Sequence, residues 1–368
     1  MIIDNFKCNI PNITVNKIVD SLAVLYENAI NQQIELKSLP TPFLWGAAGI
    51  GKSQGVRQLA DKLQEMTGKK VVVTDVRLLL FSPVDLRGVP MADEHRQFTV
   101  WLKPYIFKMD ESEDTINLLF LDELSAAPQS VQAAAYQICL DRKIGEHNLP
   151  DNCIVIAAGN RVTDQSVSYK MPKALCNRLM HFNIQSDYMA WRKWAIQHDV
   201  AEQVIAYLAL DNSRLCVEPG ADDLAYCTPR SWEFVSNILK ITKDSPESMA
   251  EMISACVGKD IAAEFIRFCK GTLDMPDINK IFAGKCKEYP KTHDVTYVLI
   301  SSIVARMQQN CEDISVTEIE NVWRYIQRFP KDFVMVFIKD VSMVEALNKK
   351  MMKCYGFQNW LNSHHVSL

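Results

Sequence analysis

The sequence predicts a parallel α/β sheet with helices on both faces, followed by an all-helical region. Three observations lead there. Apolar runs of strand length alternate with helix-periodic stretches through the first half of the chain. A glycine-rich loop stands between the first of those runs and a helix. Beyond about Ser186 the strand-like runs give way to amphipathic helical spacing.

Residues 13–32 place Ile18, Leu22, Leu25, Tyr26 and Ala29 on one face of a helix. Leu39-Pro-Thr-Pro42 ends that pattern, because proline removes an amide donor and clashes with the preceding turn. Phe43-Leu-Trp45 reads as a short buried strand. The loop after it leads into a helix from about Lys52 to Met66, closed by Gly68. Val71–Asp75, Leu118–Leu121, Cys153–Ala158 and Met180–Ile184 bring the strands to five. Such near-continuous apolar strands are buried on both faces, the habit of a parallel sheet. Two polar stretches with extended flanks, 89–103 and 142–150, read as hairpins, the second turning near Gly145. In the second half, Trp191, Trp194, Ala195, Val204, Ile205 and Leu208 suit amphipathic helices. Further helices are expected over 297–307, 319–329 and 333–347. The boundary between an α/β domain and a helical domain falls at 185/186.

The chain of 368 residues suits two or three domains, and 48% hydrophobic residues allow substantial cores. A net charge of -4 argues against a general nucleic-acid coat. The eleven cysteines show no C-x-x-C pair and no zinc spacing. Cys8, Cys139, Cys153, Cys176, Cys256 and Cys269 sit mostly among apolar neighbours and read as reduced, buried thiols. The N-terminus has no signal-peptide pattern and no apolar run is long enough to span a bilayer, so a soluble, cytoplasmic protein is expected. His364-His365 reads as tail and not as a metal site.

The chemistry is carried by three segments. Gly46-Ala47-Ala48-Gly49-Ile50-Gly51-Lys52-Ser53 fits G-x-x-x-x-G-K-[ST], the phosphate-cradling loop, and it has the strand before and helix after that this loop requires. Its backbone N–H groups and the helix N-terminus face an anion. Lys52 would reach the outer phosphates and Ser53 would ligate Mg²⁺. Asp122 and Glu123 end a buried apolar strand, where carboxylates are costly unless they act. Asp122 would hold Mg²⁺ through water and Glu123 would activate the attacking water. Asn160 follows the strand end Ala-Ala-Gly159. It could position water against the γ-phosphate, or simply form a turn. Arg178 and Arg230 are each readable as surface arginines or as suppliers of transition-state charge.

Together these segments resemble the AAA+ ATPases, and within them the MoxR-like, helix-2-insert branch. The likeness runs from about Pro40 to Trp232 and rests on several stretches. They are the phosphate loop, Leu118-Leu-Phe-Leu-Asp122-Glu123-Leu-Ser-Ala-Ala-Pro128, Ala-Ala-Gly-Asn160, Val131–Gln137, Asp141-Arg-Lys and Asp85-Leu-Arg-Gly-Val-Pro90. Two insert hairpins fall where the pattern puts hairpins. The chain departs from the family at Ser125-Ala126, where Asn and often Arg are usual, and at Asn177-Arg178-Leu179, where Asp-Arg-Phe is commoner.

The resemblance implies ATP and Mg²⁺ as ligands. It makes Asn160 sensor 1, Arg178 an arginine finger acting on a neighbouring subunit's ATP, and Arg230 the sensor 2 arginine of a helical lid. It further implies a homo-oligomeric ring, expected to be a hexamer, and a chaperone-like remodelling role with a von Willebrand factor A domain partner. Phe98, Trp101 and His147 are the expected substrate or pore contacts. The rival readings are a nucleic-acid motor or loader, disfavoured by the acidic balance, and a nucleotide switch with little turnover, disfavoured by Asp122-Glu123.

Overall fold

A computed structural model of the chain describes residues 10–161, 171, 173–220, 222–242, 245–271, 275–290, 292–311 and 313–364. Cys8 and His365 lie outside the described residues. The chain divides into two compact units between Asp187 and Tyr188.

The first unit is built on a parallel sheet. Its strands are β1 (Asn12–Thr14), β2 (Thr41–Trp45), β3 (Lys70–Arg77), β6 (Thr115–Asp122), β9 (Cys153–Gly159) and β10 (Leu179–Gln185), in the spatial order β1-β10-β2-β9-β6-β3. Every pairing in it is parallel. Five of these are the expected strands. The sixth, β1, is a three-residue edge strand where the sequence pattern puts the start of a helix. It is too short to show a period of its own. Thr14 ends it and caps helix α1 (Val15–Asn31), its side chain accepting from Lys17 N. β6 and β9 are buried at every position, which explains the apolar runs Leu118–Leu121 and Cys153–Ala158 within them. Helices α2 (Lys52–Thr67) and α4 (Gln129–Asp141) follow β2 and β6. α4 packs Val131, Ala134, Ala135 and Ile138 into the core beside Phe43, Leu119 and Leu121.

A short helix α3 (Pro83–Arg87) is opened by a Ser82–Asp85 capping box and leads into the first hairpin. That hairpin pairs β4 (Val89–Ala92) with β5 (Thr99–Leu102), antiparallel. Its turn is held by the Asp93 carboxylate, which accepts from Gln97 N and Phe98 N. The second hairpin pairs β7 (Lys143–Ile144) with β8 (His147–Asn148). His147 Nε2 lies 2.7 Å from Trp101 O, tying the second hairpin to the first. Helix α5 (Lys173–Cys176) precedes β10.

The regular structure of the second unit is all helical among its described residues. It contains α6 (Tyr188–Gln197), α7 (Glu202–Leu210), α8 (Pro229–Thr242), α9 (Ala250–Val257), α10 (Lys259–Gly271), α11 (Ile278–Phe282), α12 (His293–Gln309), α13 (Val316–Ile326), α14 (Lys331–Ser342), α15 (Glu345–Met351) and α16 (Tyr355–His364). The stretch expected as one helix over 333–347 is two, because the backbone turns extended at Val344. Trp232 and Phe265 centre one apolar core, Trp323 and Phe337 another. A buried ion pair joins Arg192 on α6 to Asp340 on α14. Burial lifts the Asp340 carboxyl above the ordinary carboxylate range, and the Arg192 guanidinium opposes that rise. Every cysteine among the described residues is free, and burial pushes Cys139, Cys153 and Cys269 up to about 12. These thiols are therefore protonated and inert at neutral pH. No helix among the described residues is long and apolar enough to cross a membrane.

Candidate nucleotide site

Parallel order brings the ends of β2, β9 and β6 side by side, and the three signature segments begin where those strands stop. Ligands of open α/β sheets bind at such carboxyl ends. The loop 46–51 leaves β2 and turns back on itself. A Cβ at Gly46 would lie 2.4 Å from Ile50 Cδ1 and 3.0 Å from Ile184 O, so only glycine lets the backbone close into a cradle there.

Lys52 opens α2 and is only 8% exposed. Its ammonium donates to Gly46 O, to Ala47 O at 2.9 Å and to Asn160 Oδ1 at 2.9 Å. Asn160, 5% exposed, donates through Nδ2 to Glu123 Oε2 at 3.3 Å. An ammonium can only donate and an ionised carboxylate can only accept, so the two neighbours fix which end of the amide faces which. Ser53 Oγ donates to Asp122 Oδ2 at 3.0 Å, and Asp122 Oδ1 accepts from Glu123 N at 2.9 Å. Five side chains from three strand ends are thus wired together through hydrogen bonds.

Glu123 carries a positive φ of 59°. A non-glycine residue in that region costs roughly 1–3 kcal/mol, and such strain gathers at functional sites. Here it is held by the Asp122 carboxylate on one side and by Leu124 N donating to Ala158 O at 2.9 Å on the other. The strain turns the glutamate off the strand line and brings its carboxylate to Asn160.

The donor set suits Mg²⁺. Ser53 and Asp122 place a hydroxyl and a carboxylate oxygen side by side. No cluster of three or more His, Cys, Asp or Glu able to hold a metal by protein ligands alone occurs among the described residues. Mg²⁺ characteristically takes one or two protein oxygens and completes its shell with water and phosphate.

Two of the expected residues are not part of this network as the first unit shows it. Arg178 lies in the turn before β10, exposed, and no hydrogen bond or ion pair joins it to the site. Arg230 is exposed near the start of α8 and belongs to the second unit.

Two residues at the site carry more than the sequence reading gave them. Asp75 sits on β3 in the apolar run Val71–Val76, with Oδ1 buried and unpartnered. Burial raises its pKa, Asp122 adds to the rise, and Arg77 and Arg57 oppose it. The cue was available: a carboxylate within an apolar strand is the anomaly that exposed Asp122. Ser125 bonds Asn160 through its backbone, and no spacing in the sequence announces that contact.

No protein-family model matches the chain, and no curated protein matches it. Among solved structures it is similar to a mutant of Thermotoga maritima RuvB, at 16% identity over 68% of each chain, with a TM-score of 0.38. It is also similar to a DNA replication initiation factor, at 16% identity over 95% of this chain and 93% of that one, TM-score 0.36. A third likeness is to the Escherichia coli MS115-1 HORMA:CdnC:Trip13 complex, at 12% identity over 70% and 86%, TM-score 0.38.

Proposed function

We propose that the protein is an ATP-hydrolysing AAA+ ring ATPase of the MoxR-like type, acting in the cytoplasm as a chaperone-like remodelling factor. One observation carries the ATPase reading: Lys52, Asn160 and Glu123 form a continuous hydrogen-bonded line, with Ser53 and Asp122 paired beside it. A phosphate-binding lysine and a water-activating carboxylate are thereby held at opposite ends of one amide. Hydrolysis of a phosphoanhydride needs both, positioned in line.

On this reading the domain over 1–185 binds nucleotide and the helices over 186–368 form the lid and an extension. Backbone N–H groups of residues 46–51 and the first turn of α2 receive the phosphates. The Lys52 ammonium, already turned to oxygen acceptors, exchanges carbonyl oxygens for phosphate oxygens. Ser53 and, through water, Asp122 would hold Mg²⁺, which would supply charge neutralisation on the phosphates. Glu123 takes the proton of the attacking water, and Asn160 orients that water. Arg178, exposed, is the arginine finger offered to the neighbouring subunit of a hexamer, and Arg230 reads the nucleotide as sensor 2. The hairpin side chains Phe98, Trp101 and His147 meet the protein substrate, and a von Willebrand factor A domain protein is the working partner.

Mixing subunits tests the ring and its finger. Arg178→Ala alone and Glu123→Gln alone should each be inactive. Mixed rings should regain measurable phosphate release, because some interfaces then pair an intact Glu123 with an intact Arg178. Fully inactive mixed rings, verified as mixed by mass, would remove the trans finger from the account.

A further inference from the structure

Ser125 stands two residues beyond Glu123 and is 2% exposed. Its hydroxyl makes two bonds to a single residue. It accepts from Asn160 N at 2.9 Å and donates to Asn160 O at 2.8 Å. One serine hydroxyl has a proton to give and lone pairs to receive, so both bonds form together. Gly159 makes room for the contact, since a Cβ there would sit 2.6 Å from Ser125 Oγ and 2.9 Å from its Cβ. The serine is itself held from behind. Gln132 Nε2 donates to Ser125 O at 3.2 Å and to Ala127 O at 3.0 Å, and Tyr136 OH donates to Gln132 Oε1 at 3.0 Å. A buried chain of hydrogen bonds therefore runs from helix α4 to the backbone of Asn160.

This hold differs in kind from the ones on the Asn160 side chain. On the ATPase reading, Lys52 and Glu123 both exchange partners when phosphate and water arrive. The Ser125 bonds use backbone groups that the reaction does not touch. The amide can then keep its place between lysine and glutamate through the turnover cycle.

We propose that Ser125 is a positioning residue for hydrolysis, a latch that locks the loop after β9 to the loop after β6 and so fixes the Asn160 amide opposite Glu123. The inference rests on the ATPase reading above. Ser125→Ala leaves a buried N–H and a buried C=O of Asn160 without their partner. It should lower kcat roughly ten- to a hundredfold while KM and nucleotide Kd stay within about threefold, since the phosphate cradle is intact.

The decisive test is a double-mutant cycle on kcat. If Ser125 acts through Asn160, the Ser125→Ala/Asn160→Ala pair is no slower than Asn160→Ala alone, within about twofold. A purely structural role would multiply the two losses, and multiplication with wild-type turnover intact overturns the latch alone. Absence of turnover in the wild-type protein with Mg-ATP overturns both the latch and the reading beneath it. Should Ser125→Ala fail to fold, Ser125→Cys, of similar size but a poor hydrogen-bonding partner, enters the same cycle with the same expected non-additivity and the same contrary result.

Discussion

The two units bury polar groups in opposite ways. In the first, Lys52, Asp122, Ser125 and Asn160 are buried together at strand ends, each satisfied by another member of the set. In the second, the buried polar groups tie helices: Thr228 and Ser231 bond each other at the start of α8, Ser236 Oγ accepts from Ala201 N, and the Arg192–Asp340 pair is a charged link between two helices. The contrast separates chemistry from support. On the proposed function, a buried polar network that ends on a strained glutamate is organised around a reaction. A buried ion pair between helix faces is organised around an architecture.

The contrast can be broken most severely at Asp340. Asp340→Ala strands the Arg192 guanidinium in the core and should cost the helical unit about 3–5 kcal/mol. Chemical denaturation measures it, and calorimetry should show nucleotide affinity unchanged. An affinity loss at that variant would mean the two regions are not separable. The converse change, Lys52→Ala, should weaken ATP binding about ten- to a hundredfold, the worth of charge-assisted hydrogen bonds to phosphate. Its unfolding of the helical unit should match wild type. A smaller effect sharpens the same division. Ser315 and Glu318 form the capping box of α13, and Ser315→Ala should cost about 1 kcal/mol with turnover untouched.

What the sequence made legible follows the same line. The segment Gly46–Ser53 stood out because a phosphate cradle calls for residue types at fixed spacing, Asp122-Glu123 because carboxylates end a buried apolar strand, and Asn160 through a family resemblance; the structure brings the three together. The core strands were legible because complete burial leaves apolar runs such as Leu118–Leu121 and Cys153–Ala158. β1 was not, since three residues show no period and Thr14 serves strand and helix cap at once. The break at Val344 was hidden because Phe333–Leu347 keeps apolar residues on both sides of it, with no proline or glycine to mark the turn. Ser125 read as a departure from a family pattern. Its contact is with a residue 35 positions away, and only the packing of β6 against β9 brings the two together. Asp75 could have been found by the reasoning that found Asp122.

Glu123→Gln offers the most direct measurement of the central claim, that this network hydrolyses ATP. The substitution removes the proton acceptor yet keeps the side chain's size. With Mg-ATP, the wild-type protein should release phosphate steadily. The variant should bind ATP with affinity within about threefold of wild type and release phosphate about a hundred- to ten-thousandfold more slowly, the range a positioned general base supplies. Undiminished phosphate release by Glu123→Gln would contradict the account.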